Sequence, residues 1–181
     1  MIGIKARSAA ALAVLTLGIA AAWVQADDAT GSAVTGKEKQ ELLDFHNKAR
    51  KAVGVEPLKW SPELAKFAQA WADHLAAEGE FEHRPSEGAW AQKYGENIAI
   101  DETALKGAQA WYAEITDYKA GDPIPEDFSN FKAGHYTQMV WSKTTAVGVG
   151  RAIIQKGPYK GQMMVVANYD PAGNVIGEKP F

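Results

Sequence analysis

Residues 134–142 read GHYTQMVWS, a stretch whose density of aromatic and apolar side chains predicts a short buried helix. Two candidate strands follow it, residues 146–155 and residues 162–169, and the segment KGPYKG lies between them. A connection rich in glycine and proline between two such runs is typical of a hairpin. The second run continues into VVANYDPAGN, residues 165–174. The C-terminal part of the chain is therefore predicted to be a helix followed by an antiparallel hairpin.

Two longer helices are predicted upstream of this region. Thr35 and Glu38 form a capping-box pattern, and apolar residues then recur at helical spacing. Ser61 suits the start of a second helix, which ends at Gly79. Its apolar stripe consists of Leu64, Phe67, Ala68, Trp71 and Leu75. The link between the two helices, residues 55–60, is too short for an independent element.

A third helix is predicted from Asp101 or Thr103 to about Asp117. Its inward face consists of Leu105, Ala108, Tyr112 and Ile115. Residues 80–94, before it, are predicted to form a loop because their periodicity breaks. Residues 118–133, after it, form a long irregular segment, and loops of this length are often functional. Helices first and a hairpin last predict the α+β class, with helices packed on an antiparallel sheet.

The N-terminal region predicts export. Lys5 and Arg7 give a positively charged start, an apolar run extends from Ala9 to Val24, and Val24-Gln25-Ala26 suits signal peptidase. The run is shorter than the roughly 20 residues that span a bilayer, and an uncleaved N-terminal anchor is the alternative. The prediction is a secreted or periplasmic protein with no stable membrane span, divided into a signal peptide at 1–26, a short disordered lead at 27–34 and one domain at 35–181.

The composition argues against several classes of protein. The chain has 19 basic and 22 acidic residues, and this balance argues against nucleic acid as a partner, because phosphate binding needs a basic surface. It has no cysteine, which excludes disulfides, thiolate metal ligands and a cysteine nucleophile. A Walker loop, a nucleophile-elbow serine, an Asp-rich calcium loop and a His-Glu-x-x-His pair are absent from the sequence. Four histidines and a set of acidic residues are left as candidates for a polar site.

Several motifs together resemble the CAP superfamily, which unites cysteine-rich secretory proteins, antigen 5 proteins and plant pathogenesis-related proteins, and whose module is also called the SCP domain. They are GHYTQMVWS at 134–142, VVANYDPAGN at 165–174, YGENIA at 94–99, His46-Asn47-x-x-Arg50, Leu58-x-Trp60-Ser61-x-x-Leu64-Ala65 and Trp111-x-x-Glu114. They occur in the family's order and cover essentially all of the chain beyond the signal peptide. Ala167 stands where eukaryotic members commonly have cysteine, so the chain resembles a bacterial type of member more than a plant or venom one.

The resemblance implies a three-layer α-β-α sandwich with a central, mainly antiparallel sheet. It also implies a cleft lined by two histidines and two glutamates, which by motif are His83, Glu96, Glu114 and His135. His83 precedes Arg84, whereas many relatives have a small hydroxyl residue at that point. Without the family, Glu114 would be assigned to a solvated helix face, because it lies off the apolar stripe.

Two interpretations of these four side chains stay open. They can hold a divalent cation such as zinc, for which neutral imidazole is a suitable ligand, or they can form a hydrogen-bonded network without metal. The preferred function is a binding protein, without established catalysis, that takes a small and hydrophobic or lipid-like ligand, a cation or an extracellular protein. The alternative is a metal-dependent hydrolase, in which His83 and His135 hold the cation, one glutamate completes its shell and the other activates water.

The long loop carries three aromatic residues, Tyr118, Phe128 and Phe131. In some fungal members that this domain resembles, the loop in this region binds sterols, so these rings are candidates for the wall of an apolar crevice. The alternative is that they pin the loop onto the core. His46 is predicted to be a hydrogen-bonded core residue, and His74 is predicted to be exposed. The tryptophans predicted to lie in the core are Trp60, Trp71, Trp111 and Trp141.

Overall fold

The computed structural model describes residues 30–181, so the predicted signal peptide and the first three residues of the predicted lead lie outside the described residues. The helices are α1 (Gly36–Ala52), α2 (Pro62–Glu78), α3 (Ala104–Ala113) and α4 (Gly134–Met139), with short 3-10 turns at Glu114–Asp117 and Phe128–Asn130. The strands are β1 (Lys59–Trp60), β2 (Gly95–Asp101), β3 (Ala146–Ile153) and β4 (Met163–Asp170). Within residues 30–181, no helix has both the length and the apolar character needed to cross a membrane.

The helix ends follow the local signals in the sequence. The side chain of Thr35 accepts a hydrogen bond from the backbone N–H of Glu38, and the Glu38 carboxylate accepts one from the backbone N–H of Thr35. Ser61 caps α2 by accepting from the backbone N–H of Leu64, and Gly79 ends that helix in a left-handed conformation with φ of 68°. These boundaries confirm the predicted helices, because capping depends on residues only three or four positions apart.

The sheet is mixed but mainly antiparallel, as predicted. Its strand order is β1-β3-β4-β2, in which β1 runs parallel to β3 and the other pairs are antiparallel. The predicted hairpin is β3 and β4. The prediction missed β2 entirely, and the link at residues 55–60, called too short for an element, ends in the two-residue strand β1.

Helices cover both faces of the sheet, which is the predicted three-layer sandwich. Along β4, Val165, Ala167 and Tyr169 pack into a core with α1, α3 and α4. The alternate residues Met164 and Val166 pack into a second core with α2 on the opposite face. This alternation follows from the two-residue period of a strand. Ile115, predicted to face inward, is 36% exposed because the chain leaves α3 before reaching it.

The backbone of α2 lies directly on β3, at two glycines. A Cβ atom at Gly148 would come within 2.1 Å of the backbone nitrogen of Ala65, and one at Gly150 within 2.3 Å of the backbone nitrogen of Gln69. The sequence VGVG at 147–150 therefore presents side chains to one core and bare backbone to α2.

The segment at residues 30–34 is packed, so the prediction of a disordered lead is wrong for these residues. The hydroxyl of Ser32 donates to the carbonyl of Val149 over 2.7 Å, and the indole N–H of Trp60 donates to the carbonyl of Thr30 over 2.8 Å. Val34 is fully buried. The segment covers the outer edge of β3 beyond the point where the short strand β1 stops, which satisfies backbone groups that an edge strand otherwise exposes.

Candidate functional site

One side of the candidate site is the pair formed by His83 and Glu96. Glu96 lies on β2, and its carboxylate is almost completely buried. Its Oε1 atom accepts from Nδ1 of His83 over 2.9 Å and from the backbone N–H of Arg84 over 3.0 Å. The side chain of His83, on the loop before β2, is 57% exposed. A buried carboxylate therefore holds an accessible imidazole.

The other side is the pair formed by His135 and Glu114. Glu114 opens the 3-10 turn that follows α3, and its carboxylate points at the start of α4. It accepts from Nδ1 of His135 over 2.6 Å and from the backbone N–H groups of His135 and Tyr136 over 2.8 Å and 3.2 Å. The solvated position expected for Glu114 without the family is therefore wrong. Glu114 lies outside the apolar stripe of α3, but its carboxylate is hydrogen-bonded to α4.

The two pairs bring all four predicted residues to one cleft with the imidazoles facing each other. The ring centroids of His83 and His135 are 6.4 Å apart. Because an ionised carboxylate offers only acceptors, Nδ1 of each ring must donate the shared proton. In the neutral ring, Nε2 is then left as an acceptor, and neither Nε2 atom forms a hydrogen bond within residues 30–181. The cleft consequently presents two imidazole lone pairs.

The cleft has a volume of about 600 Å³ and an apolar wall beside the histidines. Phe128 and Phe131 line it, with ring centroids 5.6 Å apart, and so does Ile176, which is 55% exposed. Lys132 and Asn174 add polar groups to the lining. Sequence reasoning did not identify these residues as cleft-lining, because long-range packing brings Ile176 and Asn174 beside α4 and no pattern singled out Lys132 next to Phe131.

A family model described as CAP, the cysteine-rich secretory protein family, matches residues 43–169. The chain belongs to this family. The two histidines and two glutamates of the cleft fall inside the matched range, whereas Asn174 and Ile176 lie beyond it.

Relatives and solved structures agree with this assignment. Pathogenesis-related protein 1C of Nicotiana tabacum is 41% identical over 152 residues, which are 79% of this chain and 80% of that protein. Golgi-associated plant pathogenesis-related protein 1 of Homo sapiens is 36% identical over 154 residues, 83% of this chain and 94% of that protein. The structure of BmVAL-1 matches with a TM-score of 0.67 at 23% identity, over 83% of this chain and 84% of that one. The crystal structure of NaASP2 with Zn²⁺ matches with a TM-score of 0.65 at 23% identity, over 82% of this chain and 86% of that one. At this identity the two structures support the fold alone.

The three aromatic residues of the long loop divide between the two roles considered for them. Tyr118 packs against Tyr136 and Phe181 and donates its hydroxyl to the carbonyl of Asp122, so it pins the loop onto the CAP domain. Phe128 and Phe131 line the cleft. The part of the loop that faces the cleft is therefore its second half.

The predicted cation site, with both histidines and one glutamate as ligands, is not preformed in the described part of this CAP domain. Across residues 30–181, no three or more side chains of the metal-binding types are placed to hold one ion. Both carboxylates are engaged by imidazole and backbone N–H groups, which leaves the two Nε2 atoms as the donors that the protein can offer. The hydrolase hypothesis needs one carboxylate as ligand and another as base, whereas Glu114 and Oε1 of Glu96 are bonded to the histidines and to backbone N–H groups, and Oε2 of Glu96 is buried.

The remaining histidines lie away from the cleft. His46 is fully buried, with Nδ1 bonded to the carbonyl of Leu42 and Nε2 to the hydroxyl of Tyr169, which confirms its predicted core role. His74, predicted to be exposed, instead stacks between two tryptophans. Its ring centroid is 5.0 Å from that of Trp71 and 4.8 Å from that of Trp90.

Proposed function

We propose that this CAP protein is exported and binds a small ligand that has an apolar body and a polar group able to donate a hydrogen bond. The observation that carries the proposal is the position of two imidazole lone pairs beside an apolar wall. The lone pairs belong to His83 and His135, and the wall includes Phe128, Phe131 and Ile176. The volume of about 600 Å³ lies in the range of small-molecule sites.

The requirement for a donor follows from the internal bonding of the cleft. Glu96 and Glu114 are the strong acceptors of the site, but each is bonded to its own histidine and to backbone N–H groups, and Oε2 of Glu96, which has no hydrogen-bond partner within residues 30–181, is buried. Acceptance from the ligand therefore falls to Nε2 of the two rings. A hydroxyl group satisfies such an acceptor, whereas an ether oxygen leaves it unpaired.

The test compares two probes with the same apolar body, 1-octanol and 1-methoxyoctane, by NMR titration of the purified protein. 1-Octanol should bind about tenfold more tightly, which corresponds to about 1.4 kcal/mol for one hydrogen bond. Phe131→Ala should weaken both probes. Tyr159→Ala is the matched control, since it removes an exposed aromatic side chain that does not line the cleft. Equal affinities of the two probes, or binding untouched by Phe131→Ala, would contradict the proposal.

A divalent cation is the second candidate occupant. Each imidazole is held by a carboxylate at Nδ1 with Nε2 free, which is the arrangement that typically orients a histidine toward a metal. The similar fold of NaASP2 has been solved with Zn²⁺. With two protein ligands, the rest of the coordination shell would come from water or from a bound molecule, so such a site would be open and weak.

The proposal of export rests on the N-terminal sequence, which lies outside the described residues. Cleavage after Ala26 would place the new N-terminus a few residues before the segment at 30–34 that packs on β3. Mass spectrometry of protein from the periplasm or the medium should find an N-terminus near Asp27. Full-length protein that starts at Met1 in the membrane fraction would contradict export.

A further inference from the structure

The side chain of Arg84, next to His83, is buried in a cage of three aromatic rings. Its Cζ atom lies 3.8 Å from the ring centroid of Phe67, 5.2 Å from that of Trp71 and 5.4 Å from that of Trp90. Its guanidinium group also donates to the carbonyls of Phe67 and Trp90. The guanidinium is held in position by these ring contacts and by the two carbonyl acceptors, while its Nε atom has no hydrogen-bond partner within residues 30–181.

Arg84 contacts the Glu96 carboxylate through both its backbone and its side chain. Its backbone N–H donates to Oε1 of Glu96 over 3.0 Å, and its Nε atom lies 3.8 Å from Oε2. Both side chains are only 3% exposed, and Oε2 has no hydrogen-bond partner within residues 30–181. The guanidinium is thus the nearby positive charge for a buried carboxylate, and a buried carboxylate is costly without one.

The two halves of the cleft differ in what supports them. His135 is part of α4, whereas His83 lies on residues 79–94, which contain no helix or strand. Contacts therefore connect the aromatic cage to Arg84, Arg84 to Glu96, and Glu96 to Nδ1 of His83.

We infer that Arg84 is a positioning residue for the ligand cleft: it fixes the Glu96 carboxylate, and through it the tautomer and direction of the His83 ring. This role deepens the proposed function, on which it rests, because it determines where one of the two Nε2 acceptors points. Lysine cannot fully replace it, since an ammonium group lacks the planar fork that bonds two carbonyls and faces a carboxylate together.

The test reads the ring nitrogens of the histidines by ¹⁵N NMR at about pH 8, where a typical imidazole is neutral. In the native protein, His83 and His135 should both show a protonated Nδ1 and an unprotonated Nε2. Arg84→Gln should move the His83 signals toward a mixture of tautomers and leave His135 unchanged, and Arg84→Lys should restore part of the native pattern. Arg151→Met is the matched control, because it removes an arginine paired with Glu38 away from the cleft.

A native His83 pattern in Arg84→Gln, or an equal change at His135, would overturn the inference. Should Arg84→Gln fail to fold, Arg84→Lys is read alone, and a fully native His83 pattern in it would overturn the inference. The 1-octanol titration separates the two proposals. A mixed His83 tautomer with a loss of about tenfold in 1-octanol affinity supports both. A mixed tautomer with unchanged affinity keeps the role of Arg84 and contradicts acceptance by His83 in the proposed function.

Discussion

His83 and His135 face each other across the cleft with ring centroids 6.4 Å apart, and a separate glutamate holds Nδ1 of each ring. The two histidine–glutamate pairs have the same chemistry, but His83 lies on a loop whereas His135 lies on the helix α4. What the rings share is a fixed tautomer with Nε2 free.

Zinc should therefore bind only through both rings and should not hold the fold together. Calorimetry on protein without a histidine tag should show a weak one-site heat with Zn²⁺, lost in His83→Ala and in His135→Ala and kept in His74→Gln. Chelation should leave the Tm unchanged, because a site with two protein ligands is not a structural zinc site. A fall of several degrees on chelation, or zinc binding that survives His83→Ala or His135→Ala, would contradict this geometry.

Glu114→Ala should destabilise the protein more than His135→Ala. The carboxylate accepts from two backbone N–H groups at the start of α4 as well as from the ring, and hydrogen bonds to a charged group are worth about 1.5–3 kcal/mol each. Partial exposure reduces the sum, so we expect a loss of about 2–3 kcal/mol. Glu114→Gln, which keeps one acceptor oxygen, should fall between the two.

Trp141→Ala sets the scale for these measurements. Trp141 is 1% exposed, and a buried large-to-small change of this kind costs about 3–5 kcal/mol. Urea unfolding should rank Trp141→Ala first, Glu114→Ala second and His135→Ala last. Should His135→Ala cost as much as Trp141→Ala, the imidazole would be a structural residue rather than a ligand-facing one.

Acid should destabilise the protein through His46. Burial lowers the pKa of His46 to about 4, with a further lowering from Arg50 and an opposing effect of the bond to Leu42. A histidine in the unfolded chain titrates near pH 6.5. Below that pH, His46 therefore binds a proton in the unfolded chain but stays neutral in the folded one. The free energy of unfolding should fall between about pH 6.5 and pH 4 and then level off, by roughly 3 kcal/mol in all.

The control for this prediction is His46→Gln, which cannot titrate but can still donate and accept a hydrogen bond. Urea unfolding across the same range should show a flatter dependence in His46→Gln than in the native protein, while His74→Gln keeps the native slope. The difference between curves isolates His46 from the carboxylates, which also titrate in acid. Parallel curves for His46→Gln and the native protein would disprove its contribution.

The sequence predicted those features that depend on near neighbours. The caps at Thr35 and Ser61 need residues three positions away, so the starts of α1 and α2 were placed correctly. The strand β2 was missed because it begins with polar residues, and its place in the sheet depends on pairs such as Glu96 with Asn168. Long-range packing also explains why the predicted exposure of His74 was wrong, since Trp90, one of the two tryptophans that stack on it, comes from the loop before β2.

The candidate site likewise depends on contacts between residues far apart in the sequence. Its four polar residues came from the resemblance to the family, not from spacing, because Glu114 and His135 lie 21 positions apart and meet only when α3 and α4 pack. The role of Arg84 had no signal in the sequence beyond its departure from the small hydroxyl residue of many relatives. A cation beside a candidate histidine becomes interpretable only when its aromatic cage is known.

The contact between α2 and β3 gives a final prediction, about the two glycines of β3. Gly148→Ala and Gly150→Ala would each place a Cβ atom within 2.4 Å of helix backbone, and a backbone cannot rotate away as a side chain can. Overpacking typically costs 1–3 kcal/mol, and about 3 kcal/mol or more is expected at these positions because the whole helix must shift.

Gly107→Ala is the control for these two glycines. At this position in α3, a Cβ atom would meet the Ala99 side chain at 3.3 Å, and replacing a helical glycine by alanine gains about 1 kcal/mol in helix propensity. Gly107→Ala should therefore stay within about 1 kcal/mol of the native protein, while each β3 variant loses several times as much. Urea unfolding measures all three, and a β3 variant as stable as Gly107→Ala would mean that α2 does not lie on the bare strand.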